Sequence, residues 1–343
     1  MRYPATSMSG RRNTLVTGGA GFVGSHLVER LVARGDRVIV LDDLSTGREQ
    51  NLDAVARRSD VELVVGSVLD EPLVAQLAAR ADEIYHLASP VGVGVVLRDP
   101  ARAIETIVGG TLVVLRQAAR RGCPTLVASS SEVYGPREQG ALREDDRPVL
   151  APPGVTRWAY GTAKLAGEHI ALAAHAKGLP VVVARLFNVV GPRQSAAQGM
   201  VLPRFVAQAL SGEPLTIHGD GAQSRCFCDV RDVTEALVRL VAAPAARGRV
   251  VNVGSPEPVS IEGVAALVAR CVGATGIVKV PYESAYPSGF EEVRTRVPDL
   301  TLLRELIAFA PSRSLEQTVR DVAEALRAPA ARTRDDRVEP DEA

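Results

Sequence analysis

Short apolar runs and amphipathic stretches alternate along the first half of this 343-residue chain. Runs at 14–18, 37–43, 61–67, 83–89, 125–131 and 180–188 are too short for helices and rich in β-branched residues. Each therefore predicts a strand covered on both faces. Helical periodicity fills the intervals at 22–34, 71–80, 101–121 and 160–177, and a seventh strand, 250–254, follows a helix at 230–242. Strict βα alternation predicts the α/β class, a Rossmann-type doubly wound parallel sheet. The texture changes at 192–229 and 256–328, where prolines accumulate around a short strand at 215–219 and helices at 202–211, 261–272 and 315–327. These two segments are expected to form a smaller substrate-binding lobe over the carboxyl ends of the strands, where open α/β sheets bind ligands. That leaves 13–191 plus 230–255 as the nucleotide-binding domain, with 1–12 a disordered lead-in and 329–343 a disordered tail.

Composition narrows the partners. Forty Lys and Arg balance forty Asp and Glu, so no basic footprint for nucleic acid or an anionic membrane is expected. Hydrophobic residues make up 46%, enough for a substantial core, yet no apolar run reaches the ~18–20 residues that span a bilayer. Met1 to Arg12 lacks a signal-peptide pattern, and the reading is cytoplasmic. Of Cys123, Cys226, Cys228 and Cys271, only Cys226-x-Cys228 is close-spaced. No cluster completes a metal site, so all four are expected as reduced thiols.

Candidate chemistry begins directly after the first strand. Gly18, Gly21 and Gly24 stand in G-x-x-G-x-x-G spacing at the start of a helix. Such glycines allow a tight turn, close approach of backbone to a pyrophosphate, and close helix–strand packing. The second strand ends in Asp42-Asp43, where a carboxylate binds ribose hydroxyls and repels a 2′-phosphate; Asp42 fits this role better, and NAD is the expected cofactor. Ser67 and Val68, after the third strand, are placed to edge the adenine.

Tyr160 and Lys164 lie four apart, on one face of a helix. A phenol near pKa 10 needs about 3 units of depression to act as a base at neutral pH. One ammonium ~4 Å away supplies about that at an effective dielectric near 20. Lysine occurs only at 164, 177 and 279 in this Arg-rich chain, which singles out position 164. His86 is expected to be structural.

The segments "DEIYHLASP" (82–90), "ASSSEVYG" (128–135), "RLFNVVGPR" (185–193), "GEPLTIHGDGAQSRCFCDVRD" (212–232) and "RVPDL" (296–300) resemble the extended short-chain dehydrogenases that process nucleotide sugars. Within that group the chain looks most like UDP-glucuronic acid decarboxylases (UDP-xylose synthases). The resemblance implies that Ser130 and Tyr160 hold the sugar's 4-hydroxyl, with Tyr160 as base, and that Lys164 also binds the nicotinamide ribose. Ser131 and Glu132 would lie beside the carboxylate end of the sugar, and Arg296 would position the substrate and could donate a proton. Asn188, Arg193, Ile217, Arg204 and Arg225 are the remaining substrate candidates, the last two for the diphosphate. On the cofactor side it adds Phe22, Val23, Ser45, Gly47, Leu87, Ala88, Ser89 and Ser129. A homodimer through helices 101–121 and 160–177 is the family default.

Two departures stand out. Ile107 replaces an asparagine usual in "ETNVxGT"-like segments, and "VGVGVVLRDP" (91–100) resembles a bacterial group labelled sugar epimerases. The expected reaction is oxidation at carbon 4, decarboxylation and re-reduction of UDP-glucuronic acid. The alternatives are a 4-epimerase, in which a small residue usually replaces Glu132, and a non-catalytic dinucleotide sensor, in which the Tyr/Lys pair would be damaged. A 4,6-dehydratase fits less well, because an aspartate would be expected where Ser131 stands.

Overall fold

The computed structural model describes residues 11–136, 140–196, 199–285 and 293–327. All seven expected strands join one sheet in the order Val250–Val253, Val181–Leu186, Thr125–Ser130, Glu83–His86, Asn13–Thr17, Arg37–Asp42, Val61–Val65. Every pairing in it is parallel. The order reverses between Asn13–Thr17 and Glu83–His86, and the two loops leaving these strands open the crevice that receives a ligand in such sheets.

Strand alternation sends neighbouring side chains to opposite layers. Val16, Val38 and Val40 face the helices Phe22–Arg34 and Val230–Ala242, whereas Leu15, Ile39 and Leu41 face Glu71–Ala78, Gly110–Arg121 and Ala159–Ala176. Burial on both faces is why these strands read as continuous apolar runs. Arg12, expected in the lead-in, is tied to the sheet: its carbonyl accepts from Arg37 N and its guanidinium reaches Glu83 at 2.8 Å. The expected tail, 329–343, lies outside the described residues.

A separate core gathers Leu202, Phe205, Leu215, Ile217, Phe227, Val264, Val268 and Val319 from the segments expected in the smaller lobe. Within 256–328 the packing departs from expectation. Leu300, Leu303 and Phe309, around the helix Thr301–Ile307, are buried in the core under the large sheet. A second, four-stranded sheet runs Pro258–Ser260, Ser224–Cys226, Thr295–Pro298, Ala141–Leu142. Its central pair is parallel, with Arg225 in register with Arg296. The helix expected over 101–121 is interrupted: Pro100–Ile104 passes through a π-turn, Glu105–Gly109, into Gly110–Arg121.

Candidate active site

A cleft of about 1030 Å³ runs across the carboxyl ends of the strands. It exceeds the roughly 300–1,000 Å³ of ordinary small-molecule sites, as a site for a dinucleotide plus a second large ligand must.

At its glycine-rich end, Gly18 has φ +72°, and a Cβ there would sit 2.7 Å from Ala88 N. A Cβ on Gly24 would fall 2.0 Å from Gly18 O. Only glycine permits this packing of loop on helix. Gly21 caps the helix Phe22–Arg34 without a side-chain hydrogen bond, and the first turn carries no acid. Its amides therefore face the cleft as an anion site. Phe22 and Val23 line the same wall. Asp42 is buried, its two oxygens accepting from Ala20 N and Leu44 N at 2.9 Å. Burial raises its pKa against those two hydrogen bonds. A carboxylate has about four acceptor sites, so the ribose role remains open to it. Asp43 instead caps its own turn through Ser45. The residues present thus fit a dinucleotide.

Val68, Leu87, Ala88 and Ser89 line the cleft, as do Asp43 and Ser45. Gly47 lies behind Asp42, where a Cβ would be 2.8 Å from its carboxylate. Ser67 accepts from Leu69 N and stands back from the lining. Ser129 reaches the cleft wall but donates its hydroxyl proton to Glu168 at 2.5 Å.

The strand Thr125–Ser130 ends at the cleft, and the single turn Ser131–Tyr134 follows it. Opposite, the helix Ala159–Ala176 presents Tyr160 and Lys164. Gly161 lets the two backbones meet, since a Cβ there would be 2.5 Å from Glu132 O. Lys164 is 8% exposed; its Nζ donates to Ala128 O at 2.9 Å and stands 5.8 Å from the Tyr160 ring centroid. Burial lowers the Lys164 pKa to about 8, with the Glu168 charge opposing the fall.

Here the electrostatics correct the expectation for Tyr160. Its pKa is raised, first by burial and then by the Glu132 carboxylate, while hydrogen bonds with Ser130 and Ser89 oppose the rise. Lys164 is turned toward a carbonyl and does not by itself make the phenol a base. What it contributes is a buried cation in the wall beneath Tyr160.

Glu132 is the electrostatic centre of the other end. Arg296 Nη1 is 3.1 Å from one carboxylate oxygen, and Arg157 Nη2 is 3.7 Å from the other. Burial pushes the carboxyl up, but Arg296, then Arg157 and Arg225, outweigh it and hold Glu132 below the usual carboxylate range. It stands as an anion beside Tyr160. Arg296 is 3% exposed and lies behind Glu132, not on the cleft surface, so its approach to a ligand is through that carboxylate. Ser130, Ser131, Asn188 and Arg225 line the cleft.

The remaining assignments divide. Arg204 faces the cleft while donating to Thr216 O at 3.0 Å and contacting His218. Arg193 lines it too, held by Glu29 and Asn51 O. Ile217 does not reach it: strand alternation puts its side chain in the small core beside Leu215, and His218 lines the cleft instead. Arg157, His218, Gln223 and Tyr282 are lining residues the sequence reading missed. For Arg157 the one signal was its place three residues before Tyr160, which puts it near the site without naming Glu132 as its partner. His86 is fully buried between Thr17 Oγ1 at 2.8 Å and Thr111 Oγ1 at 3.2 Å, its pKa lowered to about 3 by burial and by Lys164. Ile107 is buried, and its carbonyl accepts from Thr111 Oγ1 in the π-turn.

The four cysteines are free thiols. Among the described residues no helix is long and apolar enough to cross a membrane.

Comparison with known proteins agrees with this geometry. The chain is 36% identical over 313 residues to a UDP-N-acetyl-alpha-D-glucosaminuronate decarboxylase of Bacillus cytotoxicus, covering 91% of this chain and 96% of that one. It is 38% identical over 307 residues to UDP-glucuronic acid decarboxylase 4 of Arabidopsis thaliana, covering 88% of this chain and 66% of that longer one. Among solved structures, a UDP-glucuronic acid 4-epimerase from Bacillus cereus in complex with NAD superposes with a TM-score of 0.79 at 26% identity, covering 92% of this chain and 98% of that one. Residues 14–254 match the model of the NAD dependent epimerase/dehydratase family. The chain belongs to that family, and NAD is its cofactor.

Proposed function

We propose that this protein is a decarboxylase of a UDP-linked uronic acid, with UDP-glucuronic acid as substrate and UDP-xylose as product. The observation that carries the reading is the ionised Glu132, held by arginines within the same cleft as Tyr160 and Lys164. A 4-epimerase shares the tyrosine and the lysine, and one acting on a uronic acid also holds the carboxylate, but it neither breaks the bond to that carboxylate nor protonates carbon 5. The relatives named as decarboxylases support the same choice.

NAD, held by the glycine-rich turn and Asp42, would accept the hydride of carbon 4 and return it after decarboxylation, and its oxidised nicotinamide would add a positive charge. The chain supplies the rest. Ser130 and Ser89 hydrogen-bond to the Tyr160 hydroxyl and oppose the rise in its pKa without cancelling it, so its oxygen would take the proton of the 4-hydroxyl only with the added positive charge of the oxidised nicotinamide. Lys164 places a buried cation behind it. Once carbon 4 is a ketone, it is β to the uronic carboxylate, and carbon dioxide leaves as electrons pass into an enolate. The Glu132 anion, with Ser131 beside it, orders the polar groups through which carbon 5 regains a proton. Arg204, which lines the cleft, would meet the diphosphate, and Arg225, also in the lining, lies close enough to Glu132 to act on its charge as well.

A homodimer is part of this reading. Ile104 is exposed and Leu112, Val113 and Ile170 are only partly covered on the two helices expected to form the interface. A cytoplasmic location is the accompanying inference.

The test is Glu132→Ala with UDP-glucuronic acid, products followed by NMR. Carbon dioxide release is expected to fall by about 10²-fold or more, the scale of a positioned acid/base group, with NAD content unchanged. Normal decarboxylation by the variant would make Glu132 structural. UDP-galacturonic acid as the wild-type product would establish a 4-epimerase, the activity named for the Bacillus cereus structure.

A further inference from the structure

Arg157 sits on the short 3-10 turn Thr156–Trp158, which runs directly into the catalytic helix Ala159–Ala176. Its side chain is 8% exposed, and its guanidinium lies 4.9 Å above the ring of the buried Trp158. From this seat it takes one oxygen of Glu132, while Arg296, from the small sheet, takes the other. Arg225, in register with Arg296, adds a third positive charge acting on the same carboxylate.

Burying guanidinium groups is costly unless an anion compensates, and Glu132 lies within ion-pair reach of both Arg157 and Arg296. A uronic acid brings a second carboxylate to this end of the cleft. Two neighbouring carboxylates raise each other's pKa and would push a proton onto one of them. The guanidiniums that lower the Glu132 pKa oppose that, and removing Arg157 weakens the opposition.

We propose that Arg157 is a positioning residue for decarboxylation, acting through Glu132: with Arg296 it grips the carboxylate from both oxygens, keeping it oriented and ionised beside Tyr160 while a second carboxylate is bound. This rests on the UDP-uronate reading above. The close approach of Gly161 to Glu132 O couples the turn bearing Glu132 to the helix bearing Tyr160, so the Arg157–Glu132 contact also fixes their separation. Among the described residues, the charged and titratable groups facing Glu132 are Arg296 and Arg225 from the small sheet, Arg157 from the 3-10 turn and Tyr160 from the catalytic helix.

The sign of the effect is set by this arrangement. Removing a cation raises the Glu132 pKa, so its ionised form is lost at a higher pH and the acidic limb of decarboxylation moves up. The experiment compares wild type, Arg157→Leu, Arg157→Lys, Glu132→Gln and the double variant Arg157→Leu/Glu132→Gln, using UDP-glucuronic acid. Carbon dioxide release is followed against pH, nicotinamide absorbance in a single turnover reports oxidation at carbon 4, and NAD content with Tm reports folding. For Arg157→Leu the acidic limb is expected to rise by about 1 pH unit, the lower end of the effect of one nearby opposite charge. Oxidation should be largely retained, and Arg157→Lys should recover most of the limb. In the Glu132→Gln background, loss of Arg157 should add little.

An unmoved limb, or an equal loss from Arg157→Leu with and without Glu132, overturns the proposal by making Arg157 a packing residue. Should Arg157→Leu fail to fold, Arg157→Lys decides: a small upward shift that needs Glu132 supports the proposal, and an unchanged limb overturns it. No carbon dioxide from wild type at any pH overturns the decarboxylase reading and this one together, whereas release with an unmoved limb overturns this one alone.

Discussion

Glu168→Gln removes a charge without changing the shape of a buried side chain, at a point where stability and catalysis meet. Glu168 is one turn beyond Lys164 on the catalytic helix. One of its oxygens accepts from Ser129 Oγ at 2.5 Å and Arg185 Nε at 2.9 Å; the other accepts from Arg185 Nη2 at 2.7 Å. The side chains are 3% and 5% exposed, so water cannot replace the lost contact. Arg185 would keep one amide oxygen, the Glu144 carbonyl and Tyr134, but no anion to balance its buried charge. Leaving one partner of such a pair uncompensated costs about 3–5 kcal/mol. In a chain of this size that lowers Tm by on the order of 10 °C. The second effect falls on Lys164, whose pKa of about 8 is held up against burial by Glu168. Its ammonium would then be lost at a lower pH, and the alkaline limb of turnover would move down. Calorimetry and turnover against pH measure the two effects. Replacing both partners, Glu168→Leu with Arg185→Met, should restore much of the Tm but not the pH profile. An unchanged Tm and an unmoved alkaline limb in Glu168→Gln would refute the reasoning.

Two further outcomes are expected. NAD should bind more tightly than NADP in titration calorimetry, because the buried Asp42 faces the cleft as a carboxylate; equal affinities would remove Asp42 from the ribose. Lys164→Arg should lose most activity despite keeping the charge, since a bulkier guanidinium cannot occupy the site 2.9 Å from Ala128 O and does not titrate near pH 8. Wild-type rates at neutral pH would show that any cation suffices there.

The large sheet was legible because all its strands but the edge strand Val61–Val65 are largely buried on both faces, and the helix Phe22–Arg34 because Gly35 ends it in a left-handed cap. What escaped depended on contacts between distant segments. The π-turn at Glu105–Gly109 leaves no mark in a periodicity that simply continues through it. The helix Val93–Arg98 has β-branched residues and a glycine, and it packs against the 3-10 turn bearing Arg157. Thr301–Ile307 lies in the segment assigned to the smaller lobe, yet Leu303 packs into the core under the large sheet, a contact that no local pattern names. In the site, Tyr160, Lys164 and Glu132 were readable from their motifs. Arg157 was not, since nothing local announces that its partner is Glu132. The Tyr160 electrostatics also reversed the expectation, because spacing along a helix does not reveal that Lys164 points to Ala128 O.

The central claim is that a carbon–carbon bond at carbon 5 is broken in this cleft and that carbon 5 is then protonated. Incubation with UDP-glucuronic acid in deuterated water, read by NMR of the sugar product, tests it directly. A decarboxylase releases carbon dioxide and places one solvent deuterium on carbon 5 of a UDP-pentose, with NAD unchanged at the end. An intact six-carbon product epimerised at carbon 4, with no deuterium at carbon 5, would contradict the account.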